Sequence, residues 1–159
     1  MALQKASGSL SGKKAVILGT GATAAAIAQS LVAAGVGVTI LGRDRDRTDV
    51  LAKRFGAESG HLNDIQSVPF DILVQTTPVG TTDTEATLVE YRRLLAGKVV
   101  LDVVLSDHET RLLRETREAG GTAVSGSALW AEQGCLQLEK WFPLNLSAEE
   151  LEAELRGTG

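Results

Sequence analysis

The chain has 159 residues, 43% of them hydrophobic, which suits one domain with a real core and excludes a disordered or fibrous polypeptide. Its 20 acids outnumber its 16 bases, for a formal charge of −4, so neither nucleic acid nor an anionic membrane is expected as the main partner. Both demand clustered excess base, although a local basic pocket for one phosphate is compatible with this balance.

A single cysteine, Cys135, excludes an intrachain disulfide and reads as a small core residue. No stretch approaches the roughly 20 apolar residues of a membrane span. The opening segment from Met1 to Ser11 carries one lysine, Lys5, and no apolar h-region, so it does not read as a secretory signal. The expectation is a cytoplasmic protein.

Taken in chain order, Lys14 to Gly19 is a continuous apolar run ending in glycine, the pattern of a strand buried on both faces. Ala22 to Ala34 is alanine-rich, with Ile27 and Leu31 one turn apart, and predicts a helix closed by Gly35. Val36 to Leu41 predicts a second strand, dominated by β-branched residues, and Thr48 to Phe55 a short helix. Asp71 to Val74 and Val99 to Val104 read as further buried strands. A helix from Thr110 to Ala119 and a short strand from Thr122 to Val124 follow. Leu129 to Trp141 has helical spacing, and the tail from Ser147 to Arg156 opens on a Ser-x-x-Glu capping box. Strands alternating with helices predict an α/β fold, a doubly wound and mostly parallel sheet of Rossmann type with helices on both faces. The expected division is a linker remnant over 1–12, the dinucleotide-binding domain over 13–145, and a C-terminal helix or tail over 146–159.

The first strand-to-helix turn reads Gly19-Thr20-Gly21-Ala22-Thr23-Ala24, a G-x-G-x-x-A pattern. Gly19 permits the tight turn, Gly21 lets the backbone approach a pyrophosphate, and Ala24 lets helix pack on strand. The helix N-terminus then offers free N–H groups and a partial positive charge to phosphate. Beyond the second strand, NAD-binding folds usually place an acid for the ribose 2′-hydroxyl. Here the chain reads Gly42-Arg43-Asp44-Arg45-Asp46-Arg47. Arg43 can pair with a 2′-phosphate and Arg47, one turn on, can reach the same anion, which points to NADP. Asp44 and Asp46 can instead approach the ribose, so the two cofactors are not separated by these residues alone.

Four blocks in this order resemble the C-terminal domain of the shikimate and quinate dehydrogenase family, over about Gly12 to Trp141. They are the glycine loop, the segment from Gly42 to Arg47, the segment from Asp71 to Gly80, and the stretch from Gly126 through Gln133 to Trp141. The third resembles the family's D-I-L-(V/I)-N-(A/T)-T-x-x-G block, with Gln75 in the asparagine position. The last resembles its G-x-x-M-L-x-x-Q block, with Leu129 in the methionine position. In the second block, Gly42 and Asp44 replace two members of the family's N-R-T-x-x-R. The D-V-V-Y-x-P block reads Asp102-Val103-Val104-Leu105-Ser106-Asp107, without its tyrosine.

The resemblance implies NADP as cofactor, contacted by Gly19, Thr20, Gly21, Ala22, Thr23, Arg43, Arg47, Thr76, Thr77, Pro78, Val103, Gly126 and Leu129. It implies Gln133 as the one contact to substrate. The reaction implied for a complete chain is reversible, NADPH-dependent reduction of 3-dehydroshikimate to shikimate. The family's lysine and aspartate for proton transfer lie in an N-terminal domain, and this chain begins about a dozen residues before its first strand. No catalytic residue is therefore expected in it, and the missing substrate domain is the expected partner. Lys13, Lys14 and Lys98 stand at strand N-termini, opposite the carboxyl ends where such sheets bind ligands. His61 and His108 are isolated, so no metal site is expected. Two other readings stay open: a stand-alone dinucleotide-binding module without catalysis, and a quinate dehydrogenase-like paralogue.

Overall fold

The computed structural model of the chain describes residues 2–106, 108–141 and 147–157. Six strands form one sheet: β1 (Lys14–Leu18), β2 (Gly37–Gly42), β3 (Glu58–His61), β4 (Ile72–Gln75), β5 (Val99–Asp102) and β6 (Thr122–Ser125). They lie in the order β3-β2-β1-β4-β5-β6, every pairing parallel. This is the doubly wound α/β arrangement that the alternation of strands and helices predicts, and the chain reverses its winding direction between β1 and β4.

Successive residues of each strand feed opposite cores. On one face Ala15, Ile17, Ile40, Ile72, Val74 and Leu101 pack with residues of α1 (Ala2–Ser7), α2 (Ala22–Ala33) and α3 (Arg45–Phe55). On the other, Val16, Leu18, Leu41, Leu73 and Val100 meet Leu112 of α4 (Arg111–Glu118) and the 3-10 turns Leu62–Gln66 and Arg92–Leu95. The central strands are buried on both sides, which is why they read as unbroken apolar runs rather than alternating ones.

Local chemistry sets the ends of the elements. Helix α2 closes in a Schellman motif: Val36 N–H donates to Leu31 O and Gly35 N–H to Val32 O, both at 3.0 Å, with Gly35 at φ +76°. Helix α3 begins at Arg45, three residues before its apolar pattern, because the Asp44 side chain accepts from Arg47 N–H. Strand β5 stops at Asp102, short of the expected Val104, because the Asp102 carboxylate turns back and accepts from Val104 N–H.

Three further differences stand out. Strand β3 carries Glu-Ser-Gly-His, with no apolar residue to betray it, and adds to the sheet edge by backbone pairing with β2 alone. The segment 1–12, expected as a linker remnant, contains α1 and buries Leu3 and Leu10 in the first core. Helix α5 (Gly126–Trp141) starts directly after β6, three residues earlier than its spacing suggests. After it, α6 (Ala148–Gly157) opens on the expected capping box, with Glu150 N–H donating to Ser147 Oγ and Ser147 N–H to Glu150 Oε2. The boundary expected at 145–146 lies outside the described residues, as does Asp107.

Candidate dinucleotide site

Beyond Leu18 and Gln75 the strands β1 and β4 part, and an open cavity of about 470 Å³ lies at their carboxyl ends. Gly19, Thr20 and Gly21 form one wall, Arg43 and Arg47 a second, and Thr76, Thr77 and Pro78 a third. Eight of the thirteen expected cofactor contacts therefore converge on one cavity, at the place where a change of winding opens a crevice in such sheets.

The glycine wall is built for a close approach. Gly19 sits at φ +113°, and a Cβ there would lie 2.5 Å from Thr76 Oγ1, so only glycine fits. Its N–H donates to Leu41 O while Thr76 N–H and Oγ1 both donate to Leu18 O, locking the three strand ends together. Gly21 is the N-cap of α2 in ordinary extended geometry, and a Cβ there would meet nothing within 4 Å. No side chain caps α2, so its first N–H groups have no side-chain acceptor. Ala22 and Thr23 occupy that first turn but do not line the cavity.

On the second wall Asp44 is engaged twice: Oδ1 accepts from Arg47 N–H at 3.1 Å, and Oδ2 lies 3.8 Å from Arg47 Nε. Thr48 Oγ1 donates to the Asp44 carbonyl at 2.6 Å and completes the helix cap. The Arg43 side chain has no hydrogen bond or ion pair among the described residues and faces the cavity exposed. Gly42 explains one departure from the family pattern, since a Cβ there would overlap the Thr48 hydroxyl and crowd Thr20 Cγ2.

The third wall hangs on Gln75, which is almost fully buried. Its Oε1 accepts from Thr77 N–H and Thr77 Oγ1 at 3.1 and 3.0 Å, and its Nε2 donates to Val79 O at 3.3 Å. Next to it in the ladder stands Asp102, whose Oδ2 accepts from Thr110 Oγ1 at 2.7 Å. Burial raises the Asp102 pKa above its ordinary value, against the opposing pull of the bonds from Thr110 and Val104.

Val103, Gly126 and Leu129 stand apart from the cavity wall. Val103 N–H donates to Gln75 O, and a Cβ on Gly126 would meet the Val103 and Val104 carbonyls at 2.7 Å, so α5 starts pressed on that loop. Leu129 packs against the first core, and Gln133 is exposed on α5, away from the cavity. Leu62 and Leu88 line the cavity without having been expected; Gly42 and Asp44 of the second family block and Val79 of the third line it too, and of these Asp44 was expected within reach of the ribose. Leu62 follows the apolar-free β3, and Leu88 lies in an irregular loop. His61 Nδ1 accepts from Asn63 N–H as a turn cap, and Cys135 is buried. Among the described residues no three His, Cys, Asp or Glu side chains group as metal ligands, and no helix is long and apolar enough to cross a membrane.

The family model for shikimate / quinate 5-dehydrogenase matches residues 1–99. The NADP(+) shikimate dehydrogenase of Halobacterium salinarum is 37% identical over 150 residues, and that of Methanosarcina acetivorans 34% over 158. Each alignment takes in 93% of this chain but 56% of the relative, so the chain spans little more than half the length of these proteins. Among solved structures, a ligand-free 5-ketofructose reductase from a Gluconobacter strain superposes with a TM-score of 0.88 at 28% identity, covering 99% of this chain and 60% of that one. A shikimate 5-dehydrogenase from Thermus thermophilus, in complex with NADP(H) and shikimate, gives 0.85 at 29%, covering 98% and 59%. The chain belongs to the shikimate / quinate 5-dehydrogenase family.

Proposed function

We propose that this chain is the NADP-binding half of a shikimate dehydrogenase. The observation that carries the reading is the cavity at the β1–β4 parting, where an open glycine turn, an uncapped helix N-terminus and an unpaired arginine meet. The pyrophosphate lies along Gly19, Thr20 and Gly21, against the N–H groups that Ala22 and Thr23 present at the start of α2. Arg43 takes the 2′-phosphate with two parallel hydrogen bonds, and Arg47 adds a more exposed contact. Asp44 is occupied as the cap of α3 and as a neighbour of Arg47, which favours NADP over NAD. Thr76, Thr77 and Pro78 hold the nicotinamide-ribose side, with Val103, Gly126 and Leu129 framing it from β5 and α5, and Gln133 reaches substrate in the complete enzyme.

NADPH, when bound, supplies the hydride for reduction of the 3-dehydroshikimate carbonyl. The chain's part is to bind, orient and shelter it; proton transfer belongs to residues of a substrate-binding domain beyond this chain. Residues 13–145, with the segment 1–12 packed into their core, form the dinucleotide unit in this reading, with 146–159 appended, and the location is cytoplasmic. A second reading keeps the family and changes the carbonyl substrate. It is favoured by Leu105, exposed where the family pattern has tyrosine, and by the likeness to a 5-ketofructose reductase.

The test is calorimetric titration of the purified chain with NADP and NAD, followed by a turnover assay with shikimate. Tighter binding of NADP without turnover is expected. Equal affinity for the two would overturn the cofactor assignment, and steady turnover would overturn the division of labour.

A further inference from the structure

A second cavity, of about 330 Å³, opens at the amino ends of β1, β4 and β5, the end of the sheet opposite the dinucleotide crevice. Three cations line it: Lys14 at the start of β1, Arg93 from the 3-10 turn, and Lys98 just before β5. Its floor is apolar, with Phe70 buried and Leu94 half-buried.

The charges here differ from their neighbours. Arg92, Arg111, Arg114 and Arg117 each pair with a glutamate, as expected in a chain with surplus acid. Lys14, Arg93 and Lys98 have no ion pair among the described residues, although they sit together. Two of them lie over rings: Arg93 is 4.8 Å from the Tyr91 centroid and Lys98 5.8 Å from that of Phe70. These contacts restrict the cations to the cavity's edge and lower the entropy lost when an anion orders them. Asp71 is the cavity's one carboxylate, and its Oδ2 already accepts from Lys14 N–H at 3.0 Å. Three cations against one carboxylate leave two positive charges over an apolar floor.

We infer that this cavity binds a small organic anion, a phosphate or carboxylate carried on a flat apolar body. The anion meets Lys14, Arg93 and Lys98 while the body covers Val68, Pro69 and Leu94, the apolar lining that is still accessible. The volume lies in the range of small-molecule sites, and the site is independent of the dinucleotide crevice.

Phenyl phosphate and inorganic phosphate, titrated into the isotope-labelled chain and followed by amide chemical shifts, test this. Phenyl phosphate is expected to shift the amides of Lys14, Phe70, Asp71, Arg93 and Lys98 saturably, with a dissociation constant near or below about 1 mM. Inorganic phosphate should bind roughly fivefold more weakly, the factor that about 40 Å² of covered apolar surface supplies at ~25 cal/mol per Å². Arg93→Gln and Lys98→Gln, each with an unchanged melting temperature, should weaken phenyl phosphate by about tenfold and leave NADP titrations as in the parent chain. Absence of saturable shifts at these amides, shifts confined to Gly19–Gly21 and Arg43, equal affinity for the two probes, or indifference to both substitutions would each overturn the inference.

Discussion

Replacing Gly21 by valine puts a side chain into the dinucleotide crevice without touching the fold around it. Gly21 has φ −81° and ψ −175°, extended backbone that valine adopts readily, and the space where its Cβ would stand holds no atom within 4 Å. Folding should therefore lose no more than about 1 kcal/mol, because valine is a poorer N-cap than glycine, offset in part by the stiffer unfolded chain. That corresponds to a melting shift of roughly 4 °C or less in a chain of this size. In the proposed binding mode the same space is the path of the pyrophosphate past the α2 N-terminus, so binding of NADP should fall at least about tenfold, or 1.4 kcal/mol. Gly19→Ala is the contrasting control: at φ +113°, with Thr76 Oγ1 2.5 Å from the new carbon, it must damage the fold itself. Calorimetric titration with NADP and a thermal melt on each variant separate the two effects. An unchanged NADP affinity in Gly21→Val would show that the cofactor does not run through this turn, and a melting loss as large as that of Gly19→Ala would refute the reading of the turn's geometry.

Arg43→Ala should weaken NADP by about 1.5–3 kcal/mol and leave NAD nearly unchanged; paired titrations at one salt concentration measure it, because the phosphate contribution is screened. Gly42→Ala should lose about 1–3 kcal/mol of stability by forcing a methyl onto Thr48 and Thr20, visible as a lower melting temperature; an unshifted melt would mean that α3 yields freely. Asp102→Ala strands the buried Thr110 hydroxyl, at about 1–3 kcal/mol, and the half-buried Val104 N–H at a smaller cost, whereas asparagine can keep both partners. Because burial raises the Asp102 pKa, the folded state holds its proton more tightly than the unfolded one. Its contribution is full below the ordinary aspartate value of 3.8 and is lost as pH rises through the elevated folded value. Urea midpoints across that window should fall less steeply with pH in Asp102→Asn than in the parent, and parallel slopes would count against a perturbed carboxyl.

The parts of this molecule that showed in its sequence are those where burial or backbone geometry left few residue types to choose from. Strands β1 and β4 face cores on both sides, so their apolar runs announce them, and Gly19 and Gly35 stand where positive φ demands glycine. Strand β3 was invisible because an edge strand can be held by main-chain pairing alone, with Glu-Ser-Gly-His offering no periodicity. Helix α1 was too short for a pattern, yet one buried leucine fastens it. In the candidate site the glycine wall and Arg43 were legible from motif and position. Leu62 and Leu88 were not, since they reach the cavity through a 3-10 turn and an irregular loop whose course no local rule dictates. Gln133 rested on family resemblance, and the structure leaves it on exposed helix surface, outside the cavity that this chain forms by itself.

The β1–β4 pairing also bears on how the molecule assembles. Its first rung joins Ala15 to Ile72, with Lys14 and Asp71, 57 residues apart, bonded just before it, whereas β1 and β2 are linked by one short helix and a tight turn. Closing that loop costs about 0.8 kcal/mol more chain entropy than bringing β1 to β2, a modest advantage for the amino-terminal pair. The walls of the dinucleotide crevice come from both sides of that seam, Gly19 to Gly21 and Arg43 from one, Thr76 to Pro78 from the other. A chain emerging from the ribosome can thus fold β1, α2 and β2 without yet owning a cofactor site. The cavity is complete only when both sides of that seam are paired, so a dinucleotide bound there would hold the two halves of the sheet together.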